Sequence, residues 1–208
     1  MHPGRVPAWL SAMLFGGLAV SILFTTAQSA RPPNTGWGLP QLMHELARVR
    51  SASARFTERK TMHILKTPLV TSGTLRYVAP DYLQKVTLSP QPESFVLNDS
   101  QVTITGGWDG RTHTFSLTED PQITGLVEGI RATLAGDLQT LERFYVVELS
   151  GDNMRWQLVL RPKSRELAHF VSWMRIQGHD DRIDVVDTQS GNGDHSEMTV
   201  VGDVTDAR

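Results

Sequence analysis

The sequence predicts a mainly β protein of the α+β class. The expected architecture is an antiparallel curved sheet of about ten or eleven strands forming an incomplete β-barrel, with helices over its concave face as a lid. Three observations carry this. Hydrophobic periodicity switches from 3.6 to 2 near Ser51. From there short alternating runs recur between Gly, Asn, Asp and Pro clusters. One helical stretch, opening at Asp120-Pro121 and ending near Gly136, interrupts them near the middle. About ten strands in one domain must curl, split or wrap around something, and the helices are the available filling.

The elements follow in order. Residues 6–24 carry no charge, Arg5 precedes them, and the small residues of TTAQSA follow, with Ala27 and Ser29 placed for a cut after Ser29. Residues 1–29 therefore read as an N-terminal secretory signal, cleaved or retained as an anchor, that exports the chain to the periplasm. Residues 30–38 form a Pro- and Gly-rich lead-in, and one folded domain is expected over 39–208. Leu39, Leu42, Met43, Leu46 and Val49 share one face of a helix begun at Pro40. Strands are expected over 54–60, 72–78, 82–88, 94–97, 101–105 and 112–117, with Asn98-Asp99-Ser100 and Gly106-Gly107 as hairpin turns. The helical insert opens at Asp120-Pro121, carries Ile123, Leu126, Val127, Ile130 and Leu134 on one side, and ends near Gly136. Leu138, Leu141 and Phe144 suggest a short second helix. Strands resume over 145–149, 155–160, 170–177, 182–187 and 197–201.

Composition and motifs exclude several function classes. With 20 basic and 22 acidic residues and a formal charge of −2, nothing argues for nucleic acid as a partner. There is no cysteine, hence no disulfide, thiolate nucleophile, Cys-based zinc site or lipid-anchoring Cys. No G-x-S-x-G, H-E-x-x-H or Gly-rich phosphate loop occurs. His179-Asp180-Asp181 and His195 lie in expected hairpin turns, where Asp is explained by backbone geometry. The 190–194 stretch lacks the ligand period of a calcium loop. No catalytic residue, metal or cofactor is assigned, and the chain is expected not to be an enzyme.

What remains is a distribution of apolar side chains. Leu75 and Tyr77, Phe95 and Leu97, Ile104, Phe115 and Leu117, then Trp156, Leu158 and Leu160, fall on regular strand faces. Trp173 is out of phase with Met174 and Ile176. These residues are the expected lining of a lipid-binding cavity, and Leu126, Ile130 and Leu134 the inner face of its lid helix. An ordinary core filled by the same residues is the competing reading. Gly125 and Gly129, one turn apart, let the lid helix approach closely.

The order of these words resembles the periplasmic outer-membrane lipoprotein carriers of the LolA type, from about Leu39 to Val201. S-A-R-F-T-E-R-K (Ser53 to Lys60) is similar to the family's first strand. Gly73 to Leu83, G-T-L-R-Y-V-A-P-D-Y-L, is similar to its G-x-L-x-x-x-x-P word, and the hairpin from Glu93 to Asp99 falls where the family has its own. The resemblance implies a half-barrel whose helices cover an acyl-binding cavity, a function in lipoprotein transport as a chaperone for lipid, an inner-membrane donor and an outer-membrane acceptor. The family's arginine before the proline is Ala79 here, so its arginine-gated lid cycle is not carried over, and the chain reads as a divergent member.

The physics of a carrier agrees. Each methylene moved from water is worth about 0.8 kcal/mol, so a sixteen-carbon chain crossing water bare forfeits roughly 12 kcal/mol. The leading expectation is a monomeric periplasmic carrier of an acyl chain, lipoprotein or other lipid-like ligand. A lipid- or lipoprotein-sensing regulatory module of the same fold is the alternative.

Overall fold

The computed structural model describes residues 36–202 apart from Trp108 and Asp120. The expected signal segment, residues 1–29, and most of the lead-in lie outside the described residues.

Helix α1 spans Leu39–Ala47 and buries Leu42, Met43 and Leu46. Six strands follow: β1 Ser51–Thr61, β2 Leu69–Val78, β3 Tyr82–Ser89, β4 Glu93–Asn98, β5 Gln101–Gly106 and β6 Arg111–Ser116. After a single 3-10 turn at Leu117–Glu119 come α2, Pro121–Leu134, and α3, Leu138–Phe144. The chain continues through β7 Tyr145–Asp152, β8 Arg155–Pro162, α4 Arg165–Phe170, β9 Trp173–His179, β10 Arg182–Gln189 and β11 His195–Gly202.

All eleven strands join one antiparallel, curved sheet in the order β6-β5-β4-β3-β2-β1-β11-β10-β9-β8-β7. The strands before α2 form one wing and those after it the other. The wings meet at one seam, where β1 pairs β11 from Ala54 opposite Gly202 to Thr61 opposite His195. β6 and β7 are the two outer edges and do not pair, so the sheet is open. The chain between them has to travel from one edge to the other, and α2 and α3 make that crossing. The lid is therefore a consequence of topology: hairpin connections leave one long connection to bridge the edges.

Register fixes which side chains share the helix-covered inner face. In the N-terminal wing, Leu75 stands opposite Lys85, Lys85 opposite Phe95, and Phe95 opposite Ile104. Across the seam, Met198 stands opposite Val186, then Ile176, then Leu158. Where this face bends at β2, the Ser72/Gly73 step is irregular. A Cβ at Gly73 would lie 1.8 Å from the Val86 carbonyl oxygen and 3.0 Å from the Phe56 ring, so only glycine fits.

Two apolar clusters hold the helices on the sheet. The larger joins Trp156, Leu158, Leu160, Met174 and Ile176 to Leu42, Leu46, Leu141, Leu167 and Tyr145. The smaller joins Leu97, Val102 and Leu117 to the partly buried Leu83, Phe95, Ile104, Phe115, Ile123 and Val127. Gly136 ends α2 at a φ of 64°, the left-handed conformation that glycine accepts freely. Its missing side chain also makes room for α1, since a Cβ would meet the Met43 carbonyl at 2.0 Å.

The structure differs from the sequence expectation in two places. Residues 165–170, whose last member was expected to open a strand, form α4, and β9 starts at Trp173. The Ser164 side chain caps this helix by accepting from the Leu167 amide at 3.1 Å, with Glu166 in the first turn. Six residues are too few for a 3.6 period to show. Leu117, expected at a strand end, lies in the 3-10 turn, where its amide donates to the Ser100 carbonyl at 2.8 Å.

A cavity between the lid helix and the strand seam

The inner face is not filled evenly. At the two wings, large side chains meet the helices. At the seam, β1 presents Ala52 and Ala54, with Gly202 of β11 beside them, and the space is left open. The result is a cavity of about 520 Å³. Its floor includes Ala54, Leu75, Tyr77, Met198 and Val200, and its roof Leu126, Val127, Ile130 and Leu134 of α2. Residue size along one strand thus decides where the sheet and the helix fail to touch. Volumes of roughly 300–1,000 Å³ with largely apolar walls are typical of small-ligand sites.

The structure distributes the candidate residues over three environments. Leu75, Tyr77, Phe95, Leu126, Ile130 and Leu134 line the cavity. Leu97 and Leu117 are packed in the smaller cluster, with Ile104 and Phe115 against it. Trp156, Leu158 and Leu160 are wholly buried in the larger cluster beneath the helices. All of the strand residues so far share the inner face. Trp173 does not, because Met174 and Ile176 take that phase in β9. Its ring stacks against Arg175, whose guanidinium carbon lies 4.8 Å from the centroid, and stands edge-on to His195 at 6.2 Å.

The lid helix rests on chemistry that its glycines permit. A Cβ at Gly125 would come within 2.7 Å of Leu167 of α4, and one at Gly129 within 3.0 Å of the Tyr145 hydroxyl. The buried Tyr145 hydroxyl donates to the Gly125 carbonyl at 2.9 Å. Farther along the helix, Arg131 pairs with Glu128 at 2.6 Å and donates to the Pro80 carbonyl at 3.4 Å. The turn that carries Ala79 is thus met by an arginine from the helix side.

One residue the sequence reading did not single out is Glu58. It sits on the inner face of β1, only 5% exposed. Lys85 Nζ donates to its Oε2 at 2.5 Å and Thr71 to the same oxygen at 3.4 Å. Ser196 donates to Oε1 at 2.6 Å, and Lys60 Nζ lies 3.4 Å from it. Burial pushes the Glu58 carboxyl upward. The charges of Lys85 and Lys60 and the hydrogen bonds from Lys85 and Ser196 outweigh it and hold the carboxyl below its ordinary range. Alternation places Glu58 on the face of Phe56, but an acidic residue among polar neighbours in a strand reads as solvent-facing.

Tyr77 presents the opposite situation. It is 3% exposed, and its hydroxyl has no hydrogen-bond partner among the described residues. Burial raises its pKa above the ordinary tyrosine range. An unmade bond at a buried hydroxyl costs about 1–3 kcal/mol. Tyr77→Phe is therefore expected to raise the stability of the ligand-free chain by about 1 kcal/mol in urea unfolding. A destabilised variant would show that the hydroxyl is satisfied.

The histidine clusters do not converge. His179 pairs with Asp184 at 2.7 Å and His195 with Asp187 at 2.5 Å, at opposite ends of β10. Asp180 supplies a turn carbonyl that accepts from the Trp156 indole at 3.0 Å. Among the described residues, no group of three or more His, Asp or Glu side chains is arranged to hold a metal.

A family model described as outer membrane lipoprotein carrier protein LolA-like matches residues 30–208. The chain belongs to this LolA-like family. Several solved structures are similar to the chain at low identity. A LolA superfamily protein from Nitrosomonas europaea is 8% identical, with 79% of this chain and 91% of that one covered at a TM-score of 0.40. A DUF1329 family protein from Desulfovibrio piger is 12% identical, with 81% and 92% covered at a TM-score of 0.44. The MucA/MucB complex of Pseudomonas aeruginosa gives 10% identity, with 82% of this chain but 58% of the matched chain covered, at a TM-score of 0.43. No curated protein sequence matches the chain. In this LolA-like chain α2 roofs a cavity at the β1–β11 seam, and the polar group at Glu58 is set into the wall of that cavity.

Proposed function

We propose that this protein is a periplasmic carrier that shelters an acyl chain, free or attached to a lipoprotein, while it moves between membranes. It carries out no chemistry on its cargo. The observation that carries this reading is the cavity of about 520 Å³ at the seam, roofed by the apolar face of α2. An apolar wall replaces the lost lipid environment, and a roof made by one connecting helix can lift without unpairing a strand. Membership in the LolA-like family supports the same reading. An inner-membrane donor and an outer-membrane acceptor are its partners, and it works as a monomer.

The test is native mass spectrometry of the protein released from the periplasm, with binding of a fluorescent fatty acid as the second readout. An acyl-bearing mass is expected on the wild type. Leu75→Gln with Ile130→Gln, one change in the floor and one in the roof, is expected to lose that mass and weaken fatty-acid binding about tenfold or more. Neither residue is fully buried, so both changes are compatible with folding. A wild type that is ligand-free and ignores the fluorescent fatty acid would defeat the carrier reading and favour the regulatory module.

A further inference from the structure

The cavity wall is not uniformly apolar. Toward the β1–β2 hairpin, the inner-face positions change from Ala54, Leu75 and Val200 to Glu58, Thr71 and Ser196, and Lys85, which stands opposite Leu75, reaches across to Glu58. Both oxygens of Glu58 are engaged, Oε2 by Lys85 and Thr71 and Oε1 by Ser196 and Lys60. The carboxylate has little acceptor capacity left for a ligand. Lys85 differs. Its ammonium group has three N–H donors, and Glu58 is the one hydrogen-bond acceptor it has among the described residues. Its side chain is 26% exposed, lies over the Phe56 ring at 4.9 Å, and lines the cavity. One buried carboxylate faces two lysines, so the group carries a net charge of one positive unit. It offers hydrogen-bond donors and asks for negative charge.

We propose that Lys85 binds the anionic oxygens of an amphiphile's head group, a carboxylate or a phosphate monoester, while the tail lies along Leu75, Met198 and Ile130 under the lid helix. This inference rests on the carrier reading and narrows the cargo to single-chain anionic amphiphiles. Glu58 is then a positioning residue: it holds the ammonium group at the cavity wall and does not touch the ligand. A neutral lipid would cover Lys85 while offering at most an uncharged oxygen, and the desolvation of the ammonium group would count against it.

The experiment compares three probes of equal tail length on the purified chain: tritiated palmitate, hexadecanol and palmitoyl lysophosphatidate. The wild type is expected to bind at least one of the two anions about tenfold more tightly than hexadecanol, as a charge-assisted bond implies. The tighter of the two anions identifies whether the head is carboxylate or phosphate. Lys85→Met is expected to bring both anions down to the affinity of hexadecanol, and Lys85→Arg to retain the preference. Should Lys85→Met fail to fold, the Glu58→Gln/Lys85→Met double variant, which removes both buried charges together, takes its place and carries the same expectation. Equal binding of all three by the wild type, or a preference that survives Lys85→Met, would overturn the head-group assignment and leave the carrier reading standing. Binding of none of them by the wild type would overturn both.

Discussion

Trp156→Ala is expected to cost about 3–5 kcal/mol in equilibrium unfolding, the range for truncating a large buried aromatic. The indole is wholly buried, and its N–H donates to the Asp180 carbonyl at 3.0 Å. It also covers Gly178, where a Cβ would lie 2.4 Å from the ring. Truncation therefore opens a void and leaves a turn carbonyl without its donor. The seam lies two strands and more away from β8, so fatty-acid affinity of the molecules that remain folded is expected to stay within about twofold of the wild type. Urea titration with fluorescence-detected binding at low urea separates the two quantities. A small stability loss with a large affinity loss would mean that Trp156 touches ligand and that the site reaches as far as β8.

Glu58→Gln is expected to destabilise the chain by about 2–4 kcal/mol at neutral pH, since breaking a buried pair from one side leaves the other charge uncompensated. Lys85 keeps partial access to water, and this places the expectation toward the lower part of the range. The amide would also turn an N–H group toward one of its donors. The acid limb follows from the same group. The folded carboxyl is held below its ordinary value of 4.5, so its contribution is fully present above that pH and is lost as pH falls through the lower folded value. The stability gap between wild type and Glu58→Gln should accordingly be flat above pH 4.5 and shrink below it. A gap that stays constant on acidification would contradict an ionised, paired Glu58.

The strands and the helical insert are legible in the sequence because each carries its period over several residues: Leu75 and Tyr77 alternate, and Ile123, Leu126, Ile130 and Leu134 recur by turns. Helix α4 is not, because R-E-L-A-H-F completes less than two turns. Alternation also reports the face a residue occupies and says nothing of what covers that face. Leu75 and Leu158 follow the same rule and share the inner face, yet one borders open space and the other lies under α3 and α4's cluster. What separates them is the size of the neighbours across the ladder, Ala54 for Leu75 and Ile176 for Leu158, and that pairing joins residues far apart in the chain. Trp173 shows the converse. Its bulk suggests an interior place, but Met174 and Ile176 set the phase of β9. Glu58 is read over for a related reason, since all its partners but Lys60 come from β2, β3 and β11.

The pairing of the first strand with the last sets the order in which the molecule can be assembled. Hairpins β1–β2 through β5–β6 form from neighbouring segments, and so do β7–β8 through β10–β11. The free edge of β1, however, waits for residues 195–202, roughly the whole domain later. Until then Phe56 and Glu58 lack Val200 and Ser196. Closing this longest contact comes last and carries the largest loop-closure cost. A polypeptide emerging N-terminus first would hold two half-sheets without a shared floor, and the cargo compartment would come into being only when the final strand docks.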